Sequence, residues 1–151
     1  MIYFADTSAL VKRYLNEVGS AYIHKLVATP DNVFYQSFLI PLEMASAFYR
    51  RQRMGELSAE ELTLVLQAYA AHSHREYALI PHSEMLLNTA GTLIARHPLR
   101  ALDAIQLAAA FSLRNSSPAG TPPFAFLSAD DRLITVARHD HLLAENPNDH
   151  L

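Results

Sequence analysis

Residues Ile2-Tyr3-Phe4-Ala5 form a short apolar run that ends in Asp6-Thr7-Ser8. The run does not alternate polar and apolar residues, so it is typical of a strand that is buried on both faces. Residues 9–15 then follow a helical pattern. The sequence therefore predicts a buried strand that leads into a helix, with the carboxylate of Asp6 at the junction.

Similar apolar runs alternate with helical patterns along the rest of the chain. They predict strands at 33–35, 77–80 and 124–127, and a short edge strand at 142–144. Helices are predicted over 21–28, from between Ser37 and Pro41 to about Met54, and over 58–76, 83–95, 100–113 and 130–139. Residues 115–123 are expected to form an exposed loop. This order indicates an α/β protein with a mostly parallel sheet covered on both faces, and residues 1–151 are expected to form a single domain.

The composition excludes several classes of protein. Half of the residues are hydrophobic and 18% are charged, which is enough to build a core and rules out a disordered chain. Without any cysteine, disulfides and thiolate metal sites are excluded, and a metal site has to use Asp, Glu or His. There is no basic signal-peptide region and no apolar stretch of roughly 18 residues, so we expect a cytoplasmic protein without membrane segments.

Acidic residues directly after buried strands are the first candidates for a functional site, because ligands of parallel sheets bind at the carboxyl ends of the strands. Asp6 ends the first strand, and Asp130 follows the fourth, with Asp131 beside it. Each of these acids could instead be an ordinary helix N-terminal acid, which the helix dipole favours.

Two further acids stand at unusual positions on apolar helices. Glu43 has only Leu39, Ile40, Ser46 and Ala47 at helical spacing, and none of them can pair with a carboxylate. Asp103 opens a helix that is apolar on nearly every side, and its local alternative is an ion pair with Arg100. Burying an ionised carboxylate without full compensation costs several kcal/mol. These positions suggest that all four acids share one pocket.

Four carboxylates in one pocket would repel each other unless a cation were present. An all-oxygen ligand set favours Mg²⁺ or Mn²⁺, and such an ion can orient a phosphate oxygen and activate a water. The predicted chemistry is metal-dependent hydrolysis of a phosphate ester.

Four segments of the chain resemble the signature blocks of the PIN domain, and most closely those of the VapC toxins of toxin–antitoxin pairs. They occur in order and are Asp6-Thr7-Ser8-Ala9-Leu10, Pro41-Leu42-Glu43-Met44-Ala45, residues 99–108 around Asp103, and Leu127-Ser128-Ala129-Asp130-Asp131-Arg132-Leu133. Each block alone is a weak signal, whereas the four together are specific. The family pattern places its last acid two residues after a Ser or Thr, which selects Asp130 over Asp131.

The resemblance implies a three-layer α/β/α sandwich around a four- to five-stranded, mostly parallel sheet. It further implies a Mg²⁺- or Mn²⁺-dependent endoribonuclease that cleaves RNA with a metal-activated water, a VapB-like antitoxin partner and a homodimer. By position, Asp6, Glu43, Asp103 and Asp130 would be the catalytic, metal-binding residues, while Ser8 and Ser128 would orient them or bound water. The long loop at 115–123 departs from the pattern.

Two alternative functions are also compatible with the sequence. The same pocket would suit a metal-dependent phosphatase or DNA nuclease, and a PIN-like chain without activity would be a regulatory binding module. The chain retains every acidic position, which weighs against the inactive module.

Other polar clusters have simpler interpretations. His72 with His74 and His139 with His141 lack the i, i+4 spacing of a helical metal site, so we interpret them as surface histidines. Arg50, Arg51 and Arg53 could contact RNA or the antitoxin, but the helix dipole also favours cations near a helix C-terminus.

The formal net charge of -3, from 15 acidic and 12 basic residues, argues against a broad basic surface for nucleic acid. Taking the four pocket acids from those 15 leaves 11, so the excess of acid lies in the predicted pocket.

Overall fold

The apolar runs form a five-stranded parallel sheet in the computed structural model, which describes residues 1–118 and 120–150. The strands are β1 (Ile2–Ala5), β2 (Val33–Ser37), β3 (Tyr77–Ile80), β4 (Phe124–Leu127) and β5 (Ala144–Glu145). They lie in the order β3-β2-β1-β4-β5, and each neighbouring pair is parallel. β1 is therefore the central strand, and all of its residues are buried.

Helices cover both faces of this sheet. They are α1 (Thr7–Leu10), α2 (Ser20–Ala28), α3 (Ile40–Arg53), α4 (Ala59–Arg75), α5 (Glu84–Arg96), α6 (Ala101–Ser116) and α7 (Asp131–His139). Short 3₁₀ segments occupy Val11–Arg13 and Pro147–Asp149. The predicted α/β class with a parallel sheet between two helical layers is confirmed.

The side chains of β1 divide between two hydrophobic clusters, because successive residues of a strand point to opposite faces. Phe4 packs with Phe126 of β4 and with Leu107 of α6 on one face. Tyr3 packs on the other face, in the cluster that contains Met44 and Phe48 of α3. A continuous apolar run is thus needed in the central strand, since both of its faces are core.

The first helix is shorter than predicted. The Asp6 side chain accepts the N–H of Ala9 and starts α1 at Thr7, and α-helical geometry already ends at Leu10. Most of the predicted helix at 9–15 is thus the 3₁₀ segment Val11–Arg13 and the turn that follows it. This correction matters because Asp6 itself caps the helix.

Two other predicted boundaries near the end of the chain were wrong. α6 continues to Ser116, where the hydroxyls of Ser116 and Ser117 donate to the carbonyl of Leu113 and close the last turn. Ala119 of the predicted loop and the last residue of the predicted domain, Leu151, lie outside the described residues.

The predicted edge strand begins only at Ala144, because the N–H of Leu142 bonds to the carbonyl of Ala137 at the end of α7.

The predicted start of α4 is confirmed in detail. Ser58 Oγ accepts the N–H of Glu61 at 3.1 Å, and Glu61 Oε2 accepts the N–H of Ser58 at 2.8 Å. This reciprocal pair is the capping box.

Within residues 1–118 and 120–150, no helix is long and apolar enough to cross a membrane.

We expect Gly19→Ala to destabilise the protein far more than Gly55→Ala. Both glycines have positive φ, 85° and 77°, so alanine costs about 1 kcal/mol at either position. A Cβ at Gly19 would also lie 2.6 Å from the carbonyl oxygen of Pro147, whereas nothing lies within 4 Å at Gly55. Overpacking adds about 1–3 kcal/mol at Gly19. Urea denaturation measures both values, and equal losses would contradict the close approach.

Candidate functional site

The four acids singled out in the sequence line one pocket of about 200 Å³ at the carboxyl ends of β1 and β4. Asp6 follows β1, and Asp130 is the N-cap of α7 after β4. Glu43 and Asp103 lie in the first turns of α3 and α6. Three helix N-termini and the end of the central strand therefore bring these side chains to the same opening.

Asp6 is the deepest of the four acids, with 6% of its surface exposed. Its Oδ1 accepts hydrogen bonds from Ser8 Oγ at 2.7 Å and from the N–H of Ala9 at 3.0 Å. Its Oδ2 accepts from Ser128 Oγ at 2.8 Å. The two serines predicted to orient the site thus hold the Asp6 carboxylate, one from each side.

Burial raises the pKa of Asp6 to about 6, and the negative charge of Glu43 raises it as well, although the three hydrogen bonds lower it. The carboxylate is therefore held in an environment that disfavours its charge. A nearby cation would remove this cost.

Glu43 is partly buried and is tied to two side chains from other elements. Its Oε2 accepts from Thr7 Oγ1 at 2.9 Å and from the amide of Gln106 on α6. Burial raises the pKa of Glu43, the two hydrogen bonds lower it, and the charge of Asp103 raises it. Asp103 thus raises the pKa of Glu43, and Glu43 raises that of Asp6, as like charges do when no counter-ion separates them.

Asp103 is half-buried at the start of α6. Among the described residues, Asp103 forms no salt bridge with Arg100, the local partner that the sequence allowed. The Arg100 side chain also makes no capping hydrogen bond to α6. The half-buried charge of Asp103 is therefore not compensated by its local basic neighbour.

Asp130, and not Asp131, lines the pocket. Asp130 accepts the N–H of Arg132 at 2.9 Å and pairs with the Arg132 guanidinium at 2.9 Å. The hydrogen bond from Arg132 and its charge lower the pKa of Asp130. Asp131 accepts a hydrogen bond from Asn146 Nδ2 at 2.6 Å and is a first-turn acid of α7.

Three further polar residues line the pocket: Thr7 and Gln106, which had no role in the sequence analysis, and Arg50, which was named there as a contact for RNA or the antitoxin. The Oε1 atom of Gln106 is buried without a hydrogen-bond partner. Gln106 lies three residues after Asp103, so helical spacing was the signal that could have found it. Thr7 gave no comparable signal, since its proximity to Glu43 depends on tertiary packing, whereas Arg50 belongs to the arginine cluster at the end of α3.

The histidines and the other arginines of the analysed clusters lie away from the pocket. His74, His139 and His141 are exposed, as predicted. His72 is not a plain surface residue, because it is partly buried and its Nδ1 lies 3.2 Å from the Tyr14 hydroxyl. Arg51 pairs with Glu17 and Glu56.

The donor set of the pocket fits a hard divalent cation. It offers four carboxylates, hydroxyls and the unpartnered Gln106 Oε1, and no described histidine lines it. Among the described residues, only His97, His139 and Asp140 form a group of three whose ligand atoms all lie within 4.8 Å of one another. Any three of the pocket carboxylates are therefore more widely spaced than this. Mg²⁺ bound by one or two carboxylates keeps several waters, so the remaining acids would contact those waters.

A parallel five-stranded sheet between helical layers, with acids at the carboxyl ends of its central strands, is the three-layer α/β/α architecture that the sequence predicted.

Solved structures confirm this fold over the whole chain. A chain of FitAcB from Neisseria gonorrhoeae superposes with a TM-score of 0.69 at 14% identity, covering 100% of both chains. VapBC2 from Rickettsia felis bound to a promoter DNA fragment gives 0.66 at 14% identity, covering 97% of this chain and 98% of that chain. A toxin–antitoxin complex from Klebsiella pneumoniae gives 0.57 at 14% identity, covering 96% and 97%. No protein-family model and no curated protein matches the sequence.

We expect Asp6→Asn to stabilise the metal-free protein at pH 7.5 by on the order of 2 kcal/mol. The folded pKa of about 6 lies above the ordinary value of 3.8, so the wild type loses stability as pH rises through this window. Asn carries no charge and can keep the bonds from Ser8 and Ala9. The gain should be complete above about pH 6 and vanish toward pH 4, as measured by thermal unfolding in EDTA.

Asp130→Asn is the matched control with the opposite sign. Arg132 lowers the pKa of Asp130, so its ionised form stabilises the fold above the unfolded pKa, and the amide should lower Tm at pH 7.5. If Asp6→Asn also lowered Tm at pH 7.5, the unfavourable burial of the Asp6 charge would be refuted.

Proposed function

We propose that this chain is a VapC-type toxin, a Mg²⁺- or Mn²⁺-dependent endoribonuclease that hydrolyses phosphodiester bonds of single-stranded or structured RNA. The observation that carries the proposal is the convergence of Asp6, Glu43, Asp103 and Asp130 on one pocket. It is supported by a fold that solved toxin–antitoxin chains share over nearly their whole length.

Asp6, Glu43, Asp103 and Asp130 would hold the divalent ion. The ion would supply Lewis acidity, lower the pKa of a water and stabilise charge on the phosphate. Ser8 and Ser128 keep Asp6 in place, and Thr7 and Gln106 keep Glu43 in place. These bonds restrict the carboxylates before substrate arrives, which lowers the entropy cost of forming the site.

No side chain serves as a covalent nucleophile in this proposal. The hydroxyls of Thr7 and Ser8 donate to Glu43 and Asp6, so in this proposal they orient those carboxylates. Water would be the attacking group, and the carboxylates would orient it and accept its proton.

Two cations stand at the pocket and suit a polyanionic substrate. Arg50 lines the opening from α3, and Arg132 faces it through its ion pair with Asp130. Arg132 forms an ion pair with Asp130, so a cation bound at Asp130 would free the Arg132 guanidinium to contact the phosphate backbone. The chain then binds RNA through a few local arginines and the ion, without a broad basic surface.

The partners belong to the same proposal. A VapB-like antitoxin neutralises the toxin in the cytoplasm, and the toxin forms a homodimer. Exposed apolar side chains on α3, at its C-cap and on α4 support such contacts: Leu42 at 72%, Met54 at 65% and Leu64 at 64% exposure, respectively. Apolar surface of this kind is typical of protein interfaces.

Asp6→Asn and Asp103→Asn should each abolish RNA cleavage, with a loss of at least about 100-fold in kcat/KM, because each removes a carboxylate from the pocket. Asp131→Asn is the matched control, since Asp131 is adjacent to Asp130 but bonds to Asn146 outside the pocket. The assay uses purified protein, a labelled single-stranded RNA and Mn²⁺. Full activity in both pocket variants would refute the site.

The same preparation separates the rival hypotheses. Single-stranded RNA, single-stranded DNA and a small phosphate ester are compared side by side with Mn²⁺. Preference for DNA or for the ester would favour the DNA nuclease or the phosphatase. If no substrate were turned over and Mn²⁺ did not raise Tm, the chain would be a regulatory binding module.

A further inference from the structure

A second cluster of metal-ligating side chains lies apart from the acidic pocket. His97, His139 and Asp140, here the His–His–Asp cluster, each place one ligand atom within 4.8 Å of the others. His97 Nε2 is 3.1 Å from Asp140 Oδ2, and His139 Nδ1 is 2.9 Å from Asp140 Oδ1. The side chains of His97 and Asp140 are 11% and 8% exposed, so two of the three ligands are largely covered by neighbouring atoms.

The fold brings these residues together from two distant parts of the chain. His97 is the C-cap of α5, where its N–H bonds to the carbonyl of Leu93. His139 ends α7, and Asp140 is the C-cap of that helix. His141 then adopts a left-handed conformation with φ of 62°. This tight turn is closed by the bond from Leu142 N–H to Ala137, which holds the Asp140 carboxylate toward α5.

The distances suit a tetrahedral ion. Zinc binds imidazole nitrogen and carboxylate oxygen at about 2.0–2.2 Å, which places neighbouring ligand atoms about 3.3 Å apart. The observed separations of 3.1 and 2.9 Å are close to this value and run to the two different oxygens of Asp140, so its carboxylate would face the ion with both oxygens. In the metal-free state, the imidazole N–H protons lie between the ring nitrogens and the Asp140 oxygens. An ion would take the place of these protons once each imidazole carries its proton on its other nitrogen.

We propose that the His–His–Asp cluster is a binding site for a divalent transition metal ion of the zinc type, built by His97, His139 and Asp140. Imidazole ligands favour Zn²⁺, Co²⁺ or Ni²⁺, whereas Mg²⁺ prefers oxygen ligands. The ion joins the C-terminal ends of α5 and α7. A cavity of about 460 Å³ borders His139 and Asp140 and leaves room for a water or an anion as the fourth ligand.

This site is independent of the acidic pocket and of the proposed function. α7 begins at the pocket, next to Asp130, and ends at the cluster, so the two sites are separated by the length of this helix, about 13 Å. The pocket offers carboxylates and hydroxyls, whereas the cluster offers two imidazoles. The two sites therefore select different ions.

Arg96 competes with the ion in this proposal. Its guanidinium pairs with Asp140 Oδ1 at 3.0 Å, and its side chain is 55% exposed, so it can move into solvent when an ion binds. Removing this cation should strengthen metal binding, because a positive charge next to the site opposes a second one.

The test is a Co²⁺ titration of the full chain in excess Mg²⁺, followed by visible absorption, with Zn²⁺ competition. We expect one ion per chain and a d–d spectrum typical of nitrogen and oxygen ligands. His139→Ala should weaken binding at least tenfold, and because this side chain is 70% exposed the fold is retained. Asp140→Asn should weaken binding similarly, and Arg96→Gln should strengthen it.

His74→Ala and Asp6→Asn are the controls, because His74 is an exposed histidine of α4 and Asp6 belongs to the acidic pocket. Both should bind Co²⁺ as the wild type does. Absence of binding to the wild type, or equal binding by wild type and His139→Ala, would overturn the proposal. Loss of binding in Asp6→Asn alone would place the ion in the acidic pocket and would overturn it as well.

Discussion

The buried carboxylate of Asp6 is the constraint around which the molecule is arranged. A charge in the interior is tolerated only when hydrogen bonds satisfy it. Here the donors are Ser8, Ser128 and the N–H of Ala9. Ser128 can reach Asp6 only because β4 lies beside β1, with Ala5 opposite Leu127. The same two serines accept the N–H groups of Ala129 and Asp130, so this network also orders the start of α7.

The sequence was informative wherever a local pattern and the tertiary structure impose the same requirement. Apolar runs without alternation predicted β1 and β4, since both faces of these strands are core. The capping box at Ser58 placed the start of α4 because it is a purely local arrangement. Boundaries failed where a side-chain cap or a tight turn started or ended an element inside a longer continuous pattern. Asp6 is the main example, because its role in the pocket and its capping of α1 use the same carboxylate.

The candidate site was predictable in its charges and not in its supporting contacts. Carboxylates on apolar faces are conspicuous in a sequence, because burial of a charge needs a reason. Thr7 and Gln106, which hold Glu43, are ordinary residues until α1, α3 and α6 meet. The histidines show the same limit. His139 was interpreted as a surface residue from its own helix, and its companion His97 comes from α5, more than forty positions earlier in the chain.

The acidic pocket and the His–His–Asp cluster differ in chemistry because opposite ends of helices form them. Helix N-termini gather at the carboxyl ends of the strands, and their positive dipoles favour acids such as Glu43 and Asp103. The C-terminal ends of α5 and α7 meet at the His–His–Asp cluster, where the dipoles favour cationic residues such as Arg96 and His139. The net charge of -3 is a sum over the whole chain and does not describe either of these two regions. With the four pocket acids taken from the 15 acidic residues, the rest of the chain is nearly neutral. Attraction of a polyanion then depends on whether a cation neutralises the four pocket acids. Only such a cation changes the sign of the electrostatic potential at the pocket opening.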